Sequence, residues 1–153
     1  MQAIILMLMF LFALLVHGRF HFMGAPDFLL LFIVALAVKE NNIKTISYSF
    51  VAGFLEDVLF SVGFVNALAK TLLGMLALYM KQFFVIDKKL LALILAFILT
   101  PISFLISYFS ILYFQSVQQL SFPWINMVVS SIINAVLCPS FYLILNRFSA
   151  DEE

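Results

Sequence analysis

Charge is what this chain most lacks. Eight basic and eight acidic residues make up 10% of the 153 positions and cancel to a net charge of zero, where an average soluble domain carries about 25% charged residues. That balance leaves no basic footprint for nucleic acid. The single cysteine, Cys138, excludes an internal disulfide and gives no oxidising framework. Five glycines and four prolines stand singly along the chain, so no glycine-rich phosphate loop is present. What remains is apolar: 65% of the residues, nineteen of them phenylalanine, against about 45–50% in soluble domains. This composition predicts one compact all-α integral-membrane domain over residues 1–153.

Long uncharged runs locate the membrane spans. Leu90–Phe114 is 25 residues and Pro123–Asn146 is 24, and each exceeds the roughly 20 residues needed to cross about 30 Å of hydrocarbon. Ala3–Val16 is also uncharged and is followed by HGRFHFMGAP, whose His, Arg, Gly and Pro mark a turn. It lacks the basic start and small-residue cleavage site of a signal peptide, so it reads as a first span. Pro26–Val38 gives a short second span that Pro26 can open at the first helical position. Thr45–Met80 is 36 residues; as one helix it is about 54 Å long, too long for one crossing. A hairpin of two short legs turning near Ser61–Gly63 fits it best.

Basic residues orient the bundle. With six spans and both ends in the cytoplasm, Lys39, Lys44, Lys81, Lys88, Lys89 and Arg147 lie inside, and only Arg19 lies in an external loop. Five spans put Lys81, Lys88 and Lys89 outside, against the positive-inside bias. The reading is therefore a six-helix N-in/C-in polytopic bundle.

Three ionisable side chains interrupt the hairpin: Glu56, Asp57 and Lys70. A charge at the bilayer centre costs about 2.5–3.5 kcal/mol on the lenient insertion scales, so these groups call for partners or for an interface. Asp57 and Lys70 fall within roughly 6–11 Å of the turn along their helices, which predicts an acidic and basic layer near the outer interface. Lys70 pairs there with Asp57 or Glu56, or snorkels outward, and Asp27 can join. A structural ion pair and a functional docking site both fit this layer of Asp27, Asp57 and Lys70. Helical spacing puts Ser49, Gly53 and Glu56 on one face, and Asn66, Lys70 and Gly74 on one face of the next leg. Small residues there allow close helix approach. Thr100, Ser103, Ser107 and Ser110 form a hydroxyl stripe, and Met127, Ser131, Asn134 and Cys138 one face of the last span. Interhelical packing is the expected use of both.

No constellation commits to a reaction. His17 and His21 share metal-ligand spacing, but a zinc site needs at least three protein ligands and no third is evident. Glu56 and Asp57 are adjacent, so they point about 100° apart on a helix and do not share a substrate. Cys138 beside Pro139 reads as a small packing residue.

The motifs GFLEDVLFSVGFVNALAKTLLGML and INAVLCPSFYLILNRF, with PDFLLLFIVALAV before them, resemble the MreD family of rod shape-determining membrane proteins. The matching positions are Pro26, Asp27, Gly53, Phe54, Asp57, Gly63, Asn66, Ala67, Leu68, Asn134, Pro139 and Arg147; Glu56 departs from the pattern. Gly53, Asn66, Asn134 and Pro139 are its helix-packing positions. The resemblance implies a multi-pass protein of the bacterial cytoplasmic membrane, without cofactor, that acts in cell elongation and peptidoglycan synthesis. Its implied partners are the lipid bilayer, a bitopic MreC-like membrane protein, and beyond it MreB, RodA and the elongation transpeptidase. The family is similar in fold to the substrate-binding components of energy-coupling-factor transporters, so a vitamin-type small-molecule binder is the alternative. Short external loops favour a partner-binding surface over an occluded ligand.

Overall fold

A computed structural model of the chain describes residues 11, 26–39, 43–60, 64–115 and 122–147. The predicted first span, Arg19, the histidines His17 and His21, the turn at Ser61–Gly63 and the acidic tail lie outside the described residues. Five helices are described: α1 (Phe28–Lys39), α2 (Ile43–Phe60), α3 (Val65–Lys81), α4 (Lys88–Gln115) and α5 (Trp124–Arg147). No strand occurs among the described residues. Two stretches, Lys88–Ser110 and Trp124–Arg147, are long and apolar enough to cross a membrane.

The short helix α1 is the core. A helix that is apolar all round sits in a core or in a membrane, and this one is enclosed by protein: every residue from Leu29 to Val38 is at most 1% exposed. Leu73 and Ala77 of α3, Leu95 and Leu99 of α4, and Cys138 and Tyr142 of α5 close around it. At 12 residues it is only about 18 Å long. Its start corrects the sequence reading, which gave Pro26 the first helical position. The Leu30 amide donates to Asp27 Oδ1 at 2.9 Å, so Asp27 is the N-cap and Pro26 precedes it. An aspartate there satisfies an amide that the first turn leaves open. The other end is held by Lys81, whose Nζ donates to the Ala37 carbonyl at 3.1 Å. A cation there complements the helix dipole.

The predicted hairpin is present. α2 and α3 lie against each other on the glycine faces. A Cβ added to Gly53 meets the Asn66 carbonyl oxygen and lies 2.6 Å from Ala67 Cα, so only glycine allows this approach. Gly74 lies against the Ser49 hydroxyl, itself bonded back to the Thr45 carbonyl at 2.7 Å. Contacts along the helices fix their directions. Lys70 reaches Asp27 and, eleven residues on, Lys81 reaches Ala37; Cys138 Sγ lies 3.9 Å from the Leu31 carbonyl oxygen. Helices α1, α3 and α5 therefore run parallel and nearly in register, with α2 and α4 antiparallel to them.

Candidate functional site

The polar side chains converge at the N-terminus of α1. Asp27 stands at the centre because, as N-cap, it turns Oδ1 to its own helix and Oδ2 to its neighbours. Lys70 Nζ from α3 donates to Asp27 Oδ2, and Ser103 Oγ from α4 donates to the same oxygen at 3.4 Å. The Asp27 amide donates to Asn134 Oδ1 from α5 at 3.1 Å. Asn134, fully enclosed, then donates through Nδ2 to Thr100 Oγ1 at 3.0 Å. Glu56 of α2 completes the group, with Oε2 3.8 Å from Lys70 Nζ. All five described helices thus supply a side chain to one node. A buried ion pair is favourable only where further hydrogen bonds satisfy the remaining lone pairs and protons; at Asp27 the Leu30 amide and the Ser103 hydroxyl add theirs to the lysine's, while Glu56 Oε2 faces Lys70 beyond hydrogen-bond range.

Asp57 sits beside the node with a different task. Its Oδ1 accepts from the Asn66 amide at 2.9 Å and its Oδ2 from the Ala67 amide at 2.8 Å. Phe64, the N-cap of α3, makes no side-chain cap bond. The carboxylate of the preceding helix therefore caps the following one, at the positive end of the α3 dipole. Of the two hairpin partners expected for Lys70, the structure gives Glu56 and not Asp57, and Asp27 joins as the nearer carboxylate; Asp57 is taken by backbone amides. Adjacent helical positions point about 100° apart, which is why the two acids face different partners.

The distance from the node to the helix end differs from helix to helix. The node lies close to the α2–α3 turn. Along α5, however, Asn134 is ten residues past Trp124, about 15 Å from that end. Ser103 is near the middle of α4. The helix ends on this side therefore do not stand level.

The remaining predicted positions fall as follows. Thr100 and Ser103 are buried within the stripe, as are Ser131, Asn134 and Cys138 on α5. Ser110 and Ser131 bond back to the carbonyls of Ile106 and Met127 at 2.6 and 2.7 Å. Asn66 contributes backbone, its amide to Asp57 and its carbonyl against Gly53. Pro139 lies inside α5, half-buried beside Cys138. The sequence had paired neither Asn134 with Asp27 nor Thr100 with Asn134. Their signal was a polar residue at the same turn of two adjacent apolar spans.

The Asp57 oxygens are occupied by amides, and Lys70 is held between two carboxylates and is 3% exposed.

A family model described as rod shape-determining protein MreD matches residues 1–148. No curated protein and no solved structure matches the chain.

Proposed function

The chain belongs to the MreD family of rod shape-determining proteins, and from that premise we propose that it is a non-enzymatic scaffold of the bacterial cell-elongation machinery. In this reading it spans the cytoplasmic membrane six times with both ends inside. It binds a bitopic MreC-like protein and, through it or directly, supports MreB, RodA and the elongation transpeptidase in peptidoglycan synthesis. Helices α1 to α5 supply five spans, and Ala3–Val16 would be the first.

The observation that carries this reading is the Asp27 node. One ion pair and its hydrogen bonds draw a side chain from every described helix, fixing their relative positions. A bundle locked from within presents fixed outer faces, which is what a scaffold needs in order to hold a partner in one geometry. The basic side chains agree with the orientation. Lys39, Lys81 and Arg147 close α1, α3 and α5, and Lys44 and Lys88 open α2 and α4. All belong to one end of the bundle, as cytoplasmic loops require.

Affinity purification in mild detergent, with copurifying proteins and small molecules identified together, tests the proposal. The expected result is a bitopic MreC-like protein. Recovery of a vitamin-sized compound and no such protein overturns it.

A further inference from the structure

The helices end level on one side of the Asp27 node and unevenly on the other. Towards the basic end, Lys81, Lys39, Ile43, Arg147 and Lys88 lie 11 to 15 residues from Lys70, Asp27, Glu56, Asn134 and Ser103 respectively, or roughly 16–23 Å along each axis. At the opposite end α2 and α3 extend only four and five residues beyond Glu56 and Lys70, about 6–8 Å. There α5 extends ten residues beyond Asn134 and α4 twelve beyond Ser103, about 15–18 Å. The lysine side chain does not make up this difference. Helical side chains lean towards the N-terminus of their own helix, so Lys70 leans towards the turn and its Cα lies no higher than Asp27.

The exposed apolar rows repeat the mismatch. On α3 the exposed stripe runs from Phe64 through Leu68, Leu72, Met75 and Tyr79 to Phe83 just past the helix, and towards the turn it reaches six residues beyond Lys70, about 9 Å. On α5 the exposed row runs from Trp124 to Ile144 and reaches ten residues beyond Asn134, about 15 Å. Bilayer hydrocarbon is about 30 Å thick, roughly 15 Å per leaflet, so the shortfall of α3 lies at the turn end.

We propose that the α2–α3 face is a lipid-docking surface for a locally thinned bilayer, with the thinning confined to the leaflet opposite the basic end. The inference rests on the membrane-spanning reading above. Its occupant is lipid with shorter or more disordered acyl chains. The face is continuous and apolar up to the hairpin turn, and its charges are turned inward to the node. A bilayer deforms around a short apolar stretch at fractions of a kcal/mol per Å of mismatch. One protein would thereby hold a thin leaflet on one flank and a full one on the other.

Depth-resolved fluorescence quenching tests this. The chain has a single tryptophan, so Trp124→Phe gives a silent background for Leu59→Trp on α2 and Ile132→Trp on α5. Both positions are about half exposed, at 55% and 52%, and stand at nearly equal heights, about 3–5 Å beyond the node. In phosphatidylcholine vesicles of ordinary chain length, brominated at graded acyl depths, the α2 probe should lie several ångströms shallower than the α5 probe. The gap should shrink in shorter-chain vesicles. Equal depths overturn the proposal. An unquenched α2 probe beside a quenched α5 probe overturns it in favour of a protein partner on this face. If neither probe is quenched, the membrane-spanning reading itself fails. Should either variant not fold, the wild-type protein extracted in polymer discs from mixed-chain membranes should carry a higher share of short-chain lipid than the parent membrane. An unchanged share overturns the proposal as well.

Discussion

Replacing Gly53 with alanine should break the α2–α3 hairpin, and the size of the effect follows from the geometry. The new Cβ would lie 2.6 Å from Ala67 Cα and nearer still to the Asn66 carbonyl oxygen, whereas carbon atoms pack at about 3.5–4.0 Å. Both obstacles are backbone, so the helices must separate by about 1 Å. Overpacking of this kind costs about 1–3 kcal/mol. The same displacement stretches the Asp57 bonds to the Asn66 and Ala67 amides, now 2.9 and 2.8 Å, beyond hydrogen-bonding range. A bond to a charged group contributes about 1.5–3 kcal/mol, so losing both brings the total to roughly 4–9 kcal/mol. Reversible unfolding in detergent, followed by Trp124 fluorescence, reads this loss. Asp57→Asn adds a diagnostic: it should destabilise the wild-type protein clearly and the Gly53→Ala variant hardly at all, because the clash has already broken the bonds it removes. A Gly53→Ala protein within about 0.5 kcal/mol of wild type, the scatter expected of an uninvolved surface position, would refute the packing argument.

Gly74→Ala meets a side chain instead, the Ser49 hydroxyl, so thermal unfolding should show a milder loss that Ser49→Ala largely restores. Asn134→Leu strips an acceptor from the Asp27 amide and a donor from Thr100. A buried group left unpaired costs about 1–3 kcal/mol, and Asn134→Asp should not rescue it, since a carboxylate lacks the donor. Cys138 is fully buried against α1. Its thiol should react with a maleimide only as fast as the bundle opens, and immediate labelling of the folded protein would contradict the enclosed position of α1.

The residue pattern carried the helical class, the hairpin and the faces that meet in it. Small residues at helical spacing are interpretable without coordinates, because only a close approach requires them; Gly53 and Gly74 both lie at contacts between α2 and α3. The depth of the charges was less accessible. Hydropathy gives the length of each span but not its axial offset from its neighbours, so nothing in it set Asp27 near the middle of α4 and α5, where its partners Ser103 and Asn134 stand. Partner choice followed the same limit. Asp57 and Lys70 lie at similar heights in sequence, yet Asp57 faces the open amides of α3 and Lys70 faces α1. The rotation of a helix about its own axis, set by Gly53 against Asn66, decides between these outcomes.

In the proposed scaffold, one largely buried charge node holds the five described helices in the geometry a partner recognises. Lys70→Met takes the cation from the buried Glu56 and half-buried Asp27 carboxylates, a change that costs at most about 3–5 kcal/mol, the figure for removing one partner of a fully buried pair. The triple variant Asp27→Asn, Glu56→Gln, Lys70→Met removes the formal charges that the described residues bring to that group. The side-chain carbonyl introduced at position 27 can still cap α1, and neutral replacement of a buried ion group is often close to neutral in stability. The decisive measurement is unfolding free energy and MreC-like partner capture on these two variants side by side. The account predicts that Lys70→Met loses both and that the triple variant recovers most of each. A single variant as stable and as competent as wild type, or a triple variant no better than the single one, would contradict it.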